Sequence, residues 1–123
     1  MQVIDLKQIF YLINENKDTP LNLNLDEGCT LQTEEPQPLI KVLNYCINYL
    51  DQLTEHPVDV GLELRGQEYV ITMMALTDHS DLPDFSESNI GDALKIYNAK
   101  HERVHETGRY VQIKILFDRS ASG

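Results

Sequence analysis

The apolar pattern of this 123-residue chain changes period at His56-Pro57, and that change constrains the fold more than any other feature. Upstream, Leu39, Leu43, Cys46, Ile47, Leu50 and Leu53 recur at spacings of three and four, which predicts a long amphipathic helix from Leu39 to about Glu55. Downstream, Val58, Val60, Leu62 and Leu64 alternate with Asp59, Gly61, Glu63 and Arg65, the period of a half-buried strand. Proline cannot continue a helix and restricts the residue before it, so the switch falls there. Gly66-Gln67 predicts a tight turn, and Tyr69 to Leu76 a returning strand.

The same reading extends to both ends. Asp5 suits the N-cap of a helix running to about Asn16, with Leu6, Ile9, Phe10 and Ile13 on one stripe. A run of turn formers up to Pro20 ends it, and Leu21 to Leu25 alternates as a strand closed by Asp26-Glu27-Gly28. Residues Thr77 to Asn89 are polar, acidic and broken by Pro83, a loop of functional length. A third helix is expected from about Asn89 to Lys100, with Ile90, Ala93, Leu94 and Tyr97 on its buried side. Val111, Ile113, Ile115 and Phe117 then alternate in a closing strand, turned at Thr107-Gly108 from a partner over Glu102 to Glu106. One-sided strands with three amphipathic helices predict an α+β, two-layer α/β sandwich: a mixed, mostly antiparallel sheet with about three helices on one face. Residues 1–118 are expected to form one domain and 119–123 a frayed tail.

Charge and composition exclude several classes. Twenty acidic against ten scattered basic residues give a formal charge of −10, which opposes a nucleic-acid partner. No apolar run approaches the roughly 20 residues of a membrane span, and the N-terminus lacks signal-peptide character, so a cytoplasmic protein with no membrane partner is expected. Cys29 and Cys46 lack CxxC spacing and are expected to be reduced.

His101-Glu102-Arg103-Val104-His105 spells H-E-x-x-H, the spacing by which a helix offers two imidazoles to zinc with a glutamate as general base. The local pattern opposes that use. If the closing hairpin forms, His101 and His105 lie about 13 Å apart at roughly 3.3 Å per residue and cannot share a metal. Working motifs also keep uncharged residues where Arg103 and Glu106 stand here, and only Asp118 follows as a possible third ligand. Two exposed histidines on an edge hairpin is the favoured reading, with zinc peptidase chemistry a remote alternative.

The element order resembles, from end to end, the ATP-binding domain of sensor histidine kinases, within the wider group of gyrase, Hsp90, MutL and the anti-sigma-factor kinases (GHKL). The resemblance rests on the Asp5-Leu6 helix start, the Leu21 to Leu25 strand, the helix from Pro38 through Tyr49, the hairpin of 58–64 and 69–78, and the closing strand. It implies that asparagines on the long helix hold the magnesium bridging ATP phosphates. In the register of Lys41-Val42-Leu43 those positions are Tyr45 and Tyr49, with Asn44 and Asn48 about 100° away on the helix. Asp78 matches the residue that binds the adenine amino group, but Ser80 and Leu82 stand where glycines are expected. Of the glycine-rich lid only Gly91 remains, and the loop carries Asp78, Asp81, Asp84 and Glu87, which repel a triphosphate.

The fold is therefore expected to be kept and the nucleotide chemistry lost, with Asp78, Asn44, Asn48 and Gly91 a vestigial pocket. The resemblance implies a non-catalytic regulatory module of bacterial signalling that needs no cofactor and acts through a protein partner or a homodimer. Phe10, Tyr11, Tyr45 and Tyr49 are its candidate contact residues. The alternative is an ATP or ADP binder, with magnesium, whose pocket is altered.

Overall fold

The structure is a computed structural model that describes residues 2–17 and 20–118; the tail expected at 119–123 lies outside the described residues. The elements run β1 (Gln2–Asp5), α1 (Leu6–Glu15), β2 (Asn22–Leu25), β3 (Thr30–Thr33), α2 (Gln37–Asp51), β4 (Asp59–Arg65), β5 (Glu68–Leu76), α3 (Glu87–Leu94), β6 (Ala99–Glu106) and β7 (Tyr110–Asp118). A five-stranded mixed sheet has the order β2-β4-β5-β7-β6, with β2 parallel to β4 and the other neighbours antiparallel. The helices cover one face, as the one-sided patterns require. Ile71 and Met73 of β5 and Ile113 and Ile115 of β7 are completely buried in one core with Leu6 and Phe10 of α1, Leu39, Leu43, Cys46 and Ile47 of α2, and Leu94 of α3.

The sequence pattern locates most of this, with local corrections. Asp5 does cap α1, its carboxylate accepting from the Lys7 amide at 3.0 Å. β1 and β3, which pair antiparallel as a separate two-stranded sheet, were not expected, because four-residue strands carry too few alternations to register. α2 starts at Gln37, before the expected Leu39: Pro38 sits in the first turn, where a missing N–H costs nothing. α2 also stops at Asp51, not Glu55. α3 begins at Glu87 and ends at Leu94, followed by a 3-10 turn over Lys95–Tyr97. Asn98, in the left-handed conformation at φ 53°, ends that turn, so Lys100 lies in β6 and not in a helix. Leu64, expected inward, is exposed near the hairpin tip. Cys29 and Cys46 are fully buried and form no disulfide.

Candidate functional site

α2, the 77–86 loop and the inner side of β6 meet at one place. Tyr45 and Tyr49, one helical turn apart, face the loop that leaves β5. Phe85, the one aromatic residue of that acidic loop, folds back under it and is only 9% exposed. Its ring lies 5.5 Å from that of Tyr45 and 4.9 Å, edge-on, from that of Tyr49. The Arg103 guanidinium stands 5.1 Å from the Phe85 centroid, a cation–π distance.

The tyrosine hydroxyls bond to the loop on either side of that ring. Tyr49 donates to the Pro83 carbonyl at 2.8 Å and accepts from Arg103 at 3.0 Å. The Ser86 amide donates to the Tyr45 hydroxyl at 3.0 Å, and Tyr45 lies 3.4 Å from the Ser86 hydroxyl. Just beyond, Glu87 receives His101 Nε2 at 2.7 Å and Arg103 Nε at 3.3 Å. His105 Nε2 contacts the His79 carbonyl at 3.2 Å. The ion pairs are half open to water and add about 0–1 kcal/mol each, whereas burying a phenyl ring stabilises by about 1.5–3 kcal/mol. The ring, more than the charges, holds the loop down.

Burial raises the Tyr49 hydroxyl above the ordinary tyrosine range, with Arg103 opposing. Burial, helped by the negative charge of Glu87, pushes the Cys46 thiol up to about 12, so it stays an un-ionised core residue near neutrality.

The residues singled out in the sequence scatter. Asp78 is exposed in a polar groove with Gln52, His56, His79 and Arg109. Asn44 lines a shallow cleft against Ile9 and Leu12 of α1, and Asn48 accepts from Lys17 at 2.8 Å. Gly91 lies within α3, where an added Cβ would sit 3.7 Å from His101. Two of the expected contact residues are buried: Phe10, completely, because it lies on the core stripe of α1, and Tyr49, 3% exposed, because the loop carrying Phe85 covers it; Tyr11 and Leu12 are exposed. Leu82 packs against the core from the loop.

His101, Glu102 and His105 lie on strand β6, so the helical geometry that H-E-x-x-H requires is not formed. Glu102 faces away from both histidines, toward the open side of the sheet. The histidines are not the exposed pair expected either, because they share the inner side of β6 with Arg103, and the His101 side chain is only 13% exposed. Among the described residues, no three His, Cys, Asp or Glu side chains are grouped to hold a metal ion. Sequence reading missed Phe85 and Arg103. A single aromatic among acidic and polar loop residues was the available signal for the first; the second required knowing that β6 presents residues 101, 103 and 105 to the loop.

The mixed sheet and the helices packed on one of its faces form a fold similar to that of histidine kinase catalytic domains. Among solved structures, the chain resembles the catalytic domain of histidine kinase ThkA, with a TM-score of 0.75 at 10% identity over 96% of this chain and 95% of that one. It also resembles the kinase domain of the E. coli osmosensor EnvZ, with a TM-score of 0.74 at 7% identity, covering 96% and 88% of the two chains. For the Acinetobacter baumannii histidine kinase AdeS the TM-score is 0.72 at 10% identity; 96% of this chain matches, but only 66% of that one. At such identities the likeness concerns the fold. No protein-family profile and no curated protein sequence matches the chain. Among the described residues, no helix is long and apolar enough to cross a membrane.

Proposed function

We propose that this domain is a regulatory module of bacterial signalling that keeps the histidine-kinase fold, does not use nucleotide, and acts by binding another protein. The observation that carries this reading is the seated loop: Phe85 is packed against Tyr45, Tyr49 and Arg103 at the α2 positions where the resemblance implies magnesium-binding asparagines. Two further features support it. Asn48 is engaged by Lys17, and Asp81 and Asp84 add negative charge to the loop that carries Asp78. The likeness to sensor kinases supports signalling as the setting. Exposed Tyr11 and Leu12 on α1 are candidate contacts for a partner or a second copy.

The test is the melting temperature with magnesium-ATP and magnesium-ADP. A working pocket at one hundred times its dissociation constant would add about 2.7 kcal/mol, a rise readily seen by scanning fluorimetry. No shift is expected at millimolar nucleotide. A concentration-dependent rise would replace this reading with an ATP or ADP binder of altered pocket.

A further inference from the structure

The contacts around Phe85 have the form of peptide recognition performed within one chain. One side chain is buried in an aromatic pocket, the backbone before and after it is bonded by two hydroxyls, and the acidic residue two positions on is bonded by a histidine and an arginine. Tyr49 holds the Pro83 carbonyl and Tyr45 the Ser86 amide, while His101 and Arg103 hold the Glu87 carboxylate. None of these receptor residues belongs to the loop: two come from α2 and two from β6.

We infer that Tyr45, Tyr49, His101 and Arg103 form a docking site for a partner segment with an aromatic residue followed two positions later by an acidic one, and that residues 83–87 occupy it in cis as an intramolecular competitor. This deepens the proposed protein-binding role and rests on it. Discrimination follows from the geometry. A phenyl-sized ring is required against Tyr45, Tyr49 and Arg103, and a carboxylate is required opposite His101 and Arg103, whereas the hydroxyl-to-backbone bonds accept any residue between. A tethered occupant is present at high effective concentration, so a free segment competes only when the tethered one is weakened or the partner offers further contacts.

The probe is an end-blocked synthetic peptide of this chain's own residues 81–88, with binding measured by fluorescence anisotropy to the full chain. Phe85→Ala should bind it at least tenfold more tightly than the unaltered chain. A peptide carrying alanine in place of its Phe should not bind, and Arg103→Ala added to F85A should remove the gain. Where F85A does not fold, Glu87→Ala serves, since it leaves Phe85 seated and breaks only half-exposed ion pairs; the gain should then be smaller but present. Equal weak binding by the folded variant and the unaltered chain overturns the inference. So does a dimer of the unaltered chain that F85A dissociates, which would give the pocket to the loop of a second copy. Nucleotide plays no part in this assay, so its failure leaves the nucleotide reading standing, and a nucleotide-induced melting shift leaves the peptide result to be judged separately.

Discussion

Replacing Phe85 with alanine tests whether the loop is truly fastened by its ring. The side chain is 9% exposed and meets Tyr45, Tyr49 and Arg103. Truncating a fully enclosed phenylalanine costs about 3–5 kcal/mol, which includes the cavity left behind. Here a loop can partly collapse onto the vacated space, but the edge-on contact with Tyr49, about 0.5–1.5 kcal/mol, is lost as well. The expected loss is about 2–4 kcal/mol, which most domains of typical stability survive. At about 2.1 cal/mol/K of unfolding entropy per residue over 123 residues, each kcal/mol shifts the melting point by roughly 4 °C, giving a drop of roughly 8–16 °C. Urea unfolding measures the loss directly, and amide exchange should quicken in 77–90 while β5 and β7 stay protected. A loss below about 0.5 kcal/mol, typical of a surface substitution, with unchanged exchange in the loop would refute the fastening.

Gly91→Ala should raise stability by about 0.5–1 kcal/mol, since alanine suits a helix interior and its Cβ would meet His101 at an ordinary 3.7 Å; a lower urea midpoint would show that the glycine serves another purpose. Alkaline pH should weaken the fold, because burial raises Cys46 from 9.0 to about 12 and also raises Tyr49 and Tyr97 above 10.0. The native state keeps protons that the unfolded chain releases. Their contribution is therefore complete below about pH 8.5, declines as pH rises past the unfolded values, and is gone above the native ones. Urea midpoints taken from pH 8 to 11 check this, and a flat profile would contradict it.

Much of the architecture was legible because it follows from periodicity. The stripe from Leu39 to Leu50 and the alternations at 58–64 and 111–117 fix which faces are apolar, and a chain with such faces has few ways to bury them. What failed was short or set by a distant partner. β1 and β3 are too brief to show a period, and the end of α3 depends on Asn98 adopting a left-handed conformation. Phe10 and Tyr11 are adjacent letters of similar chemistry, and only the packing of α1 decides that one is buried and the other exposed.

The site divides in the same way. Sequence alone determined that Tyr45 and Tyr49 stand one turn apart on a long helix, that the loop is acidic, and that 101–105 belongs to a hairpin, because each depends on residue identity or local spacing. Tertiary structure alone decided what those residues do. Across the sheet edge, His101, Arg103 and His105 turn the same side toward a loop some twenty residues earlier, and the middle letter that matters is Arg103 rather than Glu102. Phe85 has no periodicity to announce it. Its burial depends on Tyr49 of α2 and Arg103 of β6 converging on it, at 4.9 and 5.1 Å from its ring centre, an arrangement set by packing between elements far apart in the chain.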